Sequence, residues 1–150
     1  MALGISSPAF DHGDPIPRKY GYTEANVNPP LEISGVPEEA RSLAIVVDDP
    51  DAVEPAGKVW DHWVVWNVDP GIGEIPEGWD ASGATEGRND YGENGYGGPN
   101  PPDQEHTYRF ACYAIEDRLN LQGGATKAEL DVAMNGLVLD EAMLEGTYEP

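Results

Sequence analysis

The chain has 150 residues, which suits one domain with a buried core. Its 28 Asp and Glu outnumber its eight Lys and Arg and give a net charge of −20. This charge argues against nucleic-acid binding, because neutralising phosphates requires a cationic surface, and it disfavours an anionic membrane surface for the same reason. Such an acid excess is typical of a halophilic protein, since the Debye length of ~3 Å at 1 M salt screens self-repulsion.

Three further global features bear on compartment and class. The one cysteine, Cys112, predicts no internal disulfide and no cysteine metal cluster. Residues 1–8 lack the basic and apolar regions of a secretory signal, and no stretch approaches the ~18 apolar residues that span a bilayer. We therefore predict a soluble, cytoplasmic protein without a membrane span, in which residues 1–150 form a single domain.

Strands are predicted in the first half of the chain. Six prolines between residues 8 and 37 exclude a helix there. Ser42–Asp48 is a near-continuous apolar run, which predicts a buried strand. The side chains of residues 60–68 are expected to point alternately to two faces, which predicts a second strand. One face of that strand is expected to carry Trp60, His62, Val64, Trp66 and Val68.

An irregular segment separates the second predicted strand from the third. Residues 69–103 are rich in Gly, Pro, Asn and Asp. An irregular segment of this length inside a domain is usually functional or disordered, and the presence of Trp79, Tyr91 and Tyr96 favours an ordered, functional loop. Residues 107–115 then predict a third strong strand.

The end of the chain contains the one convincing helix. Residues 126–129 form a capping box, and apolar residues follow at helical spacing as far as Val138. Gly146 is expected to end this helix before a last strand at Thr147 and Tyr148. Several short strands with one terminal helix predict a mainly β domain, most simply a sandwich of two sheets.

Carboxylates and histidines collect at the predicted strand ends. Asp49 and Asp51 flank Pro50, which forces the chain to turn after the first buried strand. His62 and His106 each end an apolar face next to a turn. Any one of these groups is compatible with a solvated turn or a hydrogen-bonded core residue, but two such histidines together favour a pocket.

A glycine- and proline-rich loop, residues 95–102, precedes His106 and allows a backbone to approach a ligand closely. It matches neither a phosphate-binding Walker loop nor a dinucleotide fingerprint, and no Gly-x-Ser-x-Gly motif accompanies it. The candidate metal ligands lack the compact spacing of a dedicated site, so we predict no metal and no cofactor. Those candidates are Asp49, Asp51, His62 and His106.

The order of these motifs resembles the phosphatidylethanolamine-binding protein family, and most closely its prokaryotic, Raf-kinase-inhibitor-like branch. The resemblance rests on Asp49-Pro-Asp-Ala52, Trp60-Asp-His62-Trp63, Gly95-Tyr-Gly-Gly-Pro-Asn-Pro-Pro102 and His106-Thr-Tyr-Arg-Phe110. It implies a two-sheet antiparallel β-sandwich with peripheral helices and a small anion-binding pocket at one end of a sheet. It also implies a homodimer, because many prokaryotic relatives are dimeric.

The resemblance assigns the pocket residue by residue. Its walls are implied to be Asp49, His62, His106 and Tyr108, supported by Asp51, Gly97, Gly98 and Pro99. The chain departs from the family pattern at three positions: Val53 replaces a proline, Thr107 replaces a common arginine, and Asn100 stands where many prokaryotic relatives have cysteine.

These residues predict reversible binding of a small phosphorylated or carboxylated molecule, or of a phospholipid head group. A protonated His62 or His106, the Tyr108 hydroxyl and loop N–H groups are expected to donate to the anion. The alternative is a regulatory protein that binds and inhibits a partner enzyme. A hydrolase with His62 and Asp49 as a general base pair is less well supported, because no nucleophile or oxyanion arrangement is evident, and no catalytic residue is assigned.

Overall fold

Two antiparallel β-sheets form the fold in the computed structural model, which describes residues 2–150. In chain order the strands are β1 (Gly4–Ser6), β2 (Leu31–Ser34), β3 (Ser42–Asp49), β4 (Trp60–Val68), β5 (Glu74–Ile75), β6 (Thr85–Glu86), β7 (His106–Ile115) and β8 (Val138–Tyr148). The smaller sheet has the order β1-β2-β5 and the larger has the order β6-β4-β3-β7-β8. The predicted mainly β, two-sheet fold is confirmed.

The helical elements are short and lie at the periphery. They are the 3₁₀ turns Arg18–Tyr20 and Pro50–Ala52, and the helices α1 (Val53–Ala56) and α2 (Lys127–Met134). In the described part of the chain, none of the helices has the length and apolar character needed to cross a membrane.

Strand β3 is buried along its whole length because both faces of the larger sheet are covered. One face packs against the smaller sheet in a core that includes Trp63, Phe110 and Leu31. The other face packs under α2 in a second core that includes Trp66 and Leu130. A strand buried on both sides reads as a continuous apolar run, which is the pattern in the sequence at residues 42–48.

The predicted extent of the C-terminal helix is wrong. Helix α2 ends at Met134, and Gly136 then adopts a left-handed conformation with φ of +81°. From Val138 the chain is strand β8, which pairs with β7 along its whole length. The apolar spacing at Val138 therefore reflects strand pairing, and tertiary contacts override the local helical pattern.

A bulge near the end of β4 changes which side chains share a face. Leu43 of β3 pairs with Val68, and Ile45 pairs with Val65. Two steps along β3 therefore correspond to three steps along β4, so β4 has one extra residue here. The extra residue gives Asn67 a φ of +55°. Val68 therefore packs in the core between the sheets and not with Trp66, so the predicted common face of residues 60–68 is wrong.

A second bulge in β4 affects a candidate site residue. Val47 pairs with Trp63 and the next β3 residue pairs with Asp61, which leaves His62 as the extra, unpaired residue. The His62 ring lies 5.2 Å from the ring of Tyr108 on β7. A bulge re-aims the side chain that it carries, and this one places His62 at the edge of the inter-sheet core beside Tyr108.

Candidate functional site

A cavity of about 220 Å³ opens at the edge of the larger sheet, where β3 ends and β4 and β7 begin. Its walls come from these strand ends, from the α1 turn and from the loop before β7. They comprise Asp49, Ala52, Pro55, Ala56, Trp60, His62, Tyr91, Asn100, Pro101, Pro102, His106 and Tyr108. The structure thus brings four of the eight predicted site residues together in one cavity.

Asp49 is held at the back of this cavity by two hydrogen bonds. It is 3% exposed, and its Oδ1 accepts a hydrogen bond of 2.9 Å from the N–H of Asp51 where Pro50 begins the 3₁₀ turn. Its Oδ2 lies 2.6 Å from Nδ1 of His106. Asp51 does not line the cavity, and its own carboxylate accepts from the N–H of Thr107 at the start of β7.

His106 is bonded to a carboxylate at both ring nitrogens. Its Nδ1 faces Asp49, and its Nε2 lies 2.7 Å from Oδ1 of Asp103. Burial disfavours the charged ring, but the hydrogen bonds and negative charges of the two carboxylates outweigh burial and raise the pKa of His106. Because carboxylates accept hydrogen bonds, the arrangement corresponds to an imidazolium that donates from both nitrogens.

His62 has the opposite environment. Its Nδ1 lies 2.7 Å from the carbonyl oxygen of Gly97, and since a carbonyl only accepts, this nitrogen carries the proton. Burial lowers the pKa of His62 to about 4, so the ring is neutral near pH 7 and its Nε2 has a free lone pair. Of the two histidines expected as a protonated donor, His62 is therefore the neutral one, because Asp49 bonds to His106.

Tyr108 contributes a buried hydroxyl group to the cavity. The side chain is fully buried, and among the described residues its hydroxyl oxygen has no hydrogen-bond partner. Burial is the main cause that raises the pKa of Tyr108, with the negative charge of Asp49 adding to it. The hydroxyl therefore keeps its proton and can donate to a molecule in the cavity.

The glycine-rich loop, residues 95–102, is held beside the cavity by hydrogen bonds within the protein. Gly97 donates its N–H to the carbonyl of His62, and Gly98 donates its N–H to Oδ1 of Asn26. Pro99 accepts a hydrogen bond from the N–H of Tyr22. The N–H groups of Gly97 and Gly98 are thus used within the protein, which is contrary to the expectation that they donate to a ligand.

The absence of side chains at these glycines serves internal packing. A Cβ on Gly97 would collide with the ring of Tyr91, and a Cβ on Gly98 would collide with the backbone at Tyr20. The sequence pattern correctly indicates a close approach of the backbone, but what approaches is the protein itself.

An aromatic wall completes the cavity and was not assigned from the sequence. Trp60 and Tyr91 contact each other edge to face with ring centroids 5.7 Å apart, and Tyr22 stacks on Tyr91 at 3.8 Å. The hydroxyl of Tyr91 donates to the carbonyl of Gly98. Asp103 was also missed, because a carboxylate in an exposed bend gives no signal that distinguishes it from the other acidic residues.

The described residues contain no group of three or more His, Cys, Asp or Glu side chains arranged to hold a metal ion. The His62–Asp49 pair expected of a general base is not formed, since the hydrogen bonds of both groups go elsewhere. The cavity is therefore lined by hydrogen-bonding groups, with the neutral His62 on one wall and the charged His106 on another.

Comparison with known proteins places this geometry in a family. The family model described as phosphatidylethanolamine-binding protein matches residues 6–149. The chain belongs to the phosphatidylethanolamine-binding protein family. It is also 43% identical to a protein of Methanothermobacter thermautotrophicus named UPF0098 protein, over 97% of this chain and 98% of that protein.

Solved structures of family members have the same fold. A phosphatidylethanolamine-binding protein homolog from Chlamydia trachomatis superposes with a TM-score of 0.93 at 42% identity, covering 99% of this chain and 98% of that one. YbcL of E. coli, described as a member of the mammalian family, gives a TM-score of 0.91 at 28% identity, covering 100% and 99%. The near relatives are prokaryotic, as the sequence motifs predicted. Kinase inhibition, a homodimer and a cytoplasmic location stay predictions.

The lowered pKa of His62 predicts that acid destabilises the protein. Between pH 6.5 and about 4 the unfolded chain binds a proton at His62 that the folded state does not, so the free energy of unfolding falls as pH falls. The full shift is worth about 3 kcal/mol. In denaturant titrations at fixed molar salt, His62→Gln should lose less stability than the wild type across this range. His12→Gln, at an exposed histidine, is the matched control, and equal losses in all three proteins would contradict the assignment.

The contact between His106 and Asp103 predicts the effect of removing one carboxylate. Asp103→Asn should lower the pKa of His106, because one of its two anionic hydrogen-bond partners becomes neutral. An NMR titration of the His106 ring protons measures this shift. Glu105→Gln removes the same charge from the exposed residue that precedes His106, whose side chain is not a hydrogen-bond partner of the ring, so an equal shift in both variants would show that the hydrogen bond has no specific role.

Proposed function

We propose that the cavity reversibly binds the phosphorylated or carboxylated end of a small molecule, or a phospholipid head group, without a covalent step. The observation that carries this proposal is the Tyr108 hydroxyl, which is buried and has no partner among the described residues. An unpaired buried hydroxyl costs about 1–3 kcal/mol, and a ligand oxygen in the cavity would remove that cost.

The size and composition of the cavity support the same function. A volume of about 220 Å³ suits a phosphate or carboxylate group with a short substituent. Trp60, Tyr91 and the prolines give it an apolar side against which the rest of the ligand can pack. The description of the family names phosphatidylethanolamine, whose head group has both a phosphate and an amine.

The proposal predicts ligand-induced stabilisation that depends on Tyr108. Phosphoethanolamine or phosphate at about 100 times its Kd should stabilise the wild type by about 2.7 kcal/mol, which is measured as a rise in melting temperature at fixed high salt. The rise should be absent in His106→Ala and reduced in Tyr108→Phe. Tyr113→Phe, on the same strand but outside the cavity, is the matched control. No shift in the wild type with phosphate, phosphoethanolamine or acetate would refute the proposal.

We also propose that the acidic surface adapts this protein to concentrated salt. Among the residues that the structure describes, four of the eight Lys and Arg form ion pairs with carboxylates, so most of the 28 Asp and Glu have no Lys or Arg partner there. At about 0.1 M salt the repulsion between them extends over ~10 Å, and near 1 M over only ~3 Å.

The salt proposal predicts that folding depends on ionic strength. The free energy of unfolding should rise steadily between about 0.1 M and about 2 M potassium chloride, because screening relieves repulsion in the folded state. Replacing the exposed pair Glu38 and Glu39 with glutamine should reduce this slope. A free energy of unfolding that is unchanged over this range would contradict the proposal.

A further inference from the structure

Strand β8 forms one edge of the larger sheet, and the N-terminal segment covers the last part of this edge. Ile16 donates its N–H to the carbonyl of Thr147, and the N–H of Thr147 donates to the carbonyl of Asp14. The same segment reaches Glu145, whose carbonyl accepts from the N–H of Gly13. The outward backbone groups at this end of β8 are therefore satisfied by the protein itself.

The outward groups earlier in β8 have no such cover in the described part of the chain. Hydrogen-bonding direction alternates along a strand, so Glu141 and Met143 point away from β7 as Glu145 does. The N–H of Glu141 donates to Oδ1 of Asp140 at 2.9 Å. The carbonyl of Glu141 and both backbone groups of Met143 have no partner among the described residues. We call residues 139–143 the open edge of β8.

Exposed apolar side chains concentrate at the open edge. Five large apolar side chains are exposed among the described residues, and three of them, Val138, Leu139 and Met143, lie at the start of β8. The other edge strands, β1, β5 and β6, have only two or three residues each. A long edge strand with exposed apolar residues is a template for another strand, which is why proteins usually block such edges.

The charges at the open edge determine which strand can pair there. Glu141 lies on the same face of β8 as Met143 and forms no ion pair among the described residues. A second copy of this chain, paired antiparallel about the middle of the open edge, would place Glu141 opposite itself. Like charges directly opposite each other destabilise a pair of strands, whereas opposite charges stabilise it. The open edge therefore favours a strand that carries Lys or Arg.

We propose that the open edge of β8 accepts an extended, basic segment of a partner protein as an added antiparallel strand. The backbone groups of Met143 and the carbonyl of Glu141 bind the backbone of the segment. An apolar side chain of the segment packs against Met143, and a Lys or Arg two residues away pairs with Glu141. Neither Glu141 nor Met143 lines the cavity, so this interaction does not depend on the proposed function.

The probe is the peptide acetyl-Thr-Val-Thr-Lys-Thr-Val-Thr-amide, which alternates threonine with valine and lysine. Its binding is measured by NMR at fixed molar potassium chloride, where the general attraction of a cationic peptide to the net charge of −20 is screened. On binding, the amide proton of Met143 should shift and become protected from hydrogen exchange, because it gains an acceptor. The same peptide N-methylated at valine and lysine keeps its charge but loses the donors, and should bind at least about ten-fold more weakly.

Exchanging the charge of the peptide tests the role of Glu141. The peptide with glutamate in place of lysine should bind the wild type about two- to five-fold more weakly, the effect of one cross-strand charge pair. Glu141→Lys should reverse this order of affinities. Glu54→Lys makes the same change at an exposed glutamate of α1 and should leave the order as it is in the wild type.

Changes at Met143 test the backbone and the apolar contact. Met143→Pro removes an N–H that points away from β7, so the pairing of β8 with β7 is kept while peptide binding should be lost. If Met143→Pro does not fold, Met143→Lys removes the apolar contact and should weaken binding of the lysine peptide. Val53→Lys is the matched control, because Val53 on α1 is 51% exposed and Met143 is 48% exposed.

Three results would overturn the proposal. The first is that the lysine peptide does not bind to the wild type, or binds without changing the Met143 amide. The second is that the N-methylated peptide binds as tightly as the unmodified one, since charge alone would then explain the binding. The third is a wild-type dimer in the same salt that Met143→Lys converts to a monomer, because a second copy would then occupy the open edge. Ligand-induced stabilisation at the cavity is a separate measurement and does not change with any of these results.

Discussion

The buried hydrogen bond between Asp49 and His106 is the interaction on which the candidate site depends. It joins the end of β3 to the start of β7 at 2.6 Å, with both side chains almost completely buried. Burying a charged pair is costly unless the remaining hydrogen-bonding capacity is satisfied. The N–H of Asp51 satisfies the carboxylate and Asp103 satisfies the second nitrogen of the ring. The turn after β3 and the bend before β7 are therefore parts of one polar network.

This network also determines the chemistry of the other histidine. Because Asp49 is bonded to His106, His62 has no carboxylate partner and bonds to the carbonyl of Gly97 instead. Burial then makes it neutral, so one cavity is lined by both an imidazolium and a neutral imidazole, on different walls and each near Tyr108. Two groups of the same type acquire different protonation states from their surroundings alone, which gives the cavity an acceptor at His62 in addition to the imidazolium of His106.

The sequence predicts the mainly β, two-sheet fold, because apolar periodicity is a local pattern, whereas the grouping of Asp49, His62, His106 and Tyr108 is implied by the family resemblance that the order of the motifs carries. It does not predict the β4 bulges, since an extra residue in a strand is defined only by pairing with its neighbour. It could not assign Asp103 either, because an acidic residue in a bend resembles every other one until its partner is located. The apolar spacing at the start of β8 predicts helix and not strand for the same reason, since the pairing of β8 with β7 is not local.

The net charge of −20 and the composition of the cavity impose related requirements on a ligand. In dilute solution the surface repels anions, and inside the cavity Asp49 and His62 offer acceptors and not cations. Concentrated salt removes the first obstacle by screening but leaves the second, because groups in contact inside a cavity are screened far less than exposed charges. Long-range electrostatic attraction therefore does not bring an anionic ligand to this protein. Affinity has to come from short-range matching of donors to acceptors and from packing against Trp60 and Tyr91, and neither depends strongly on the salt concentration.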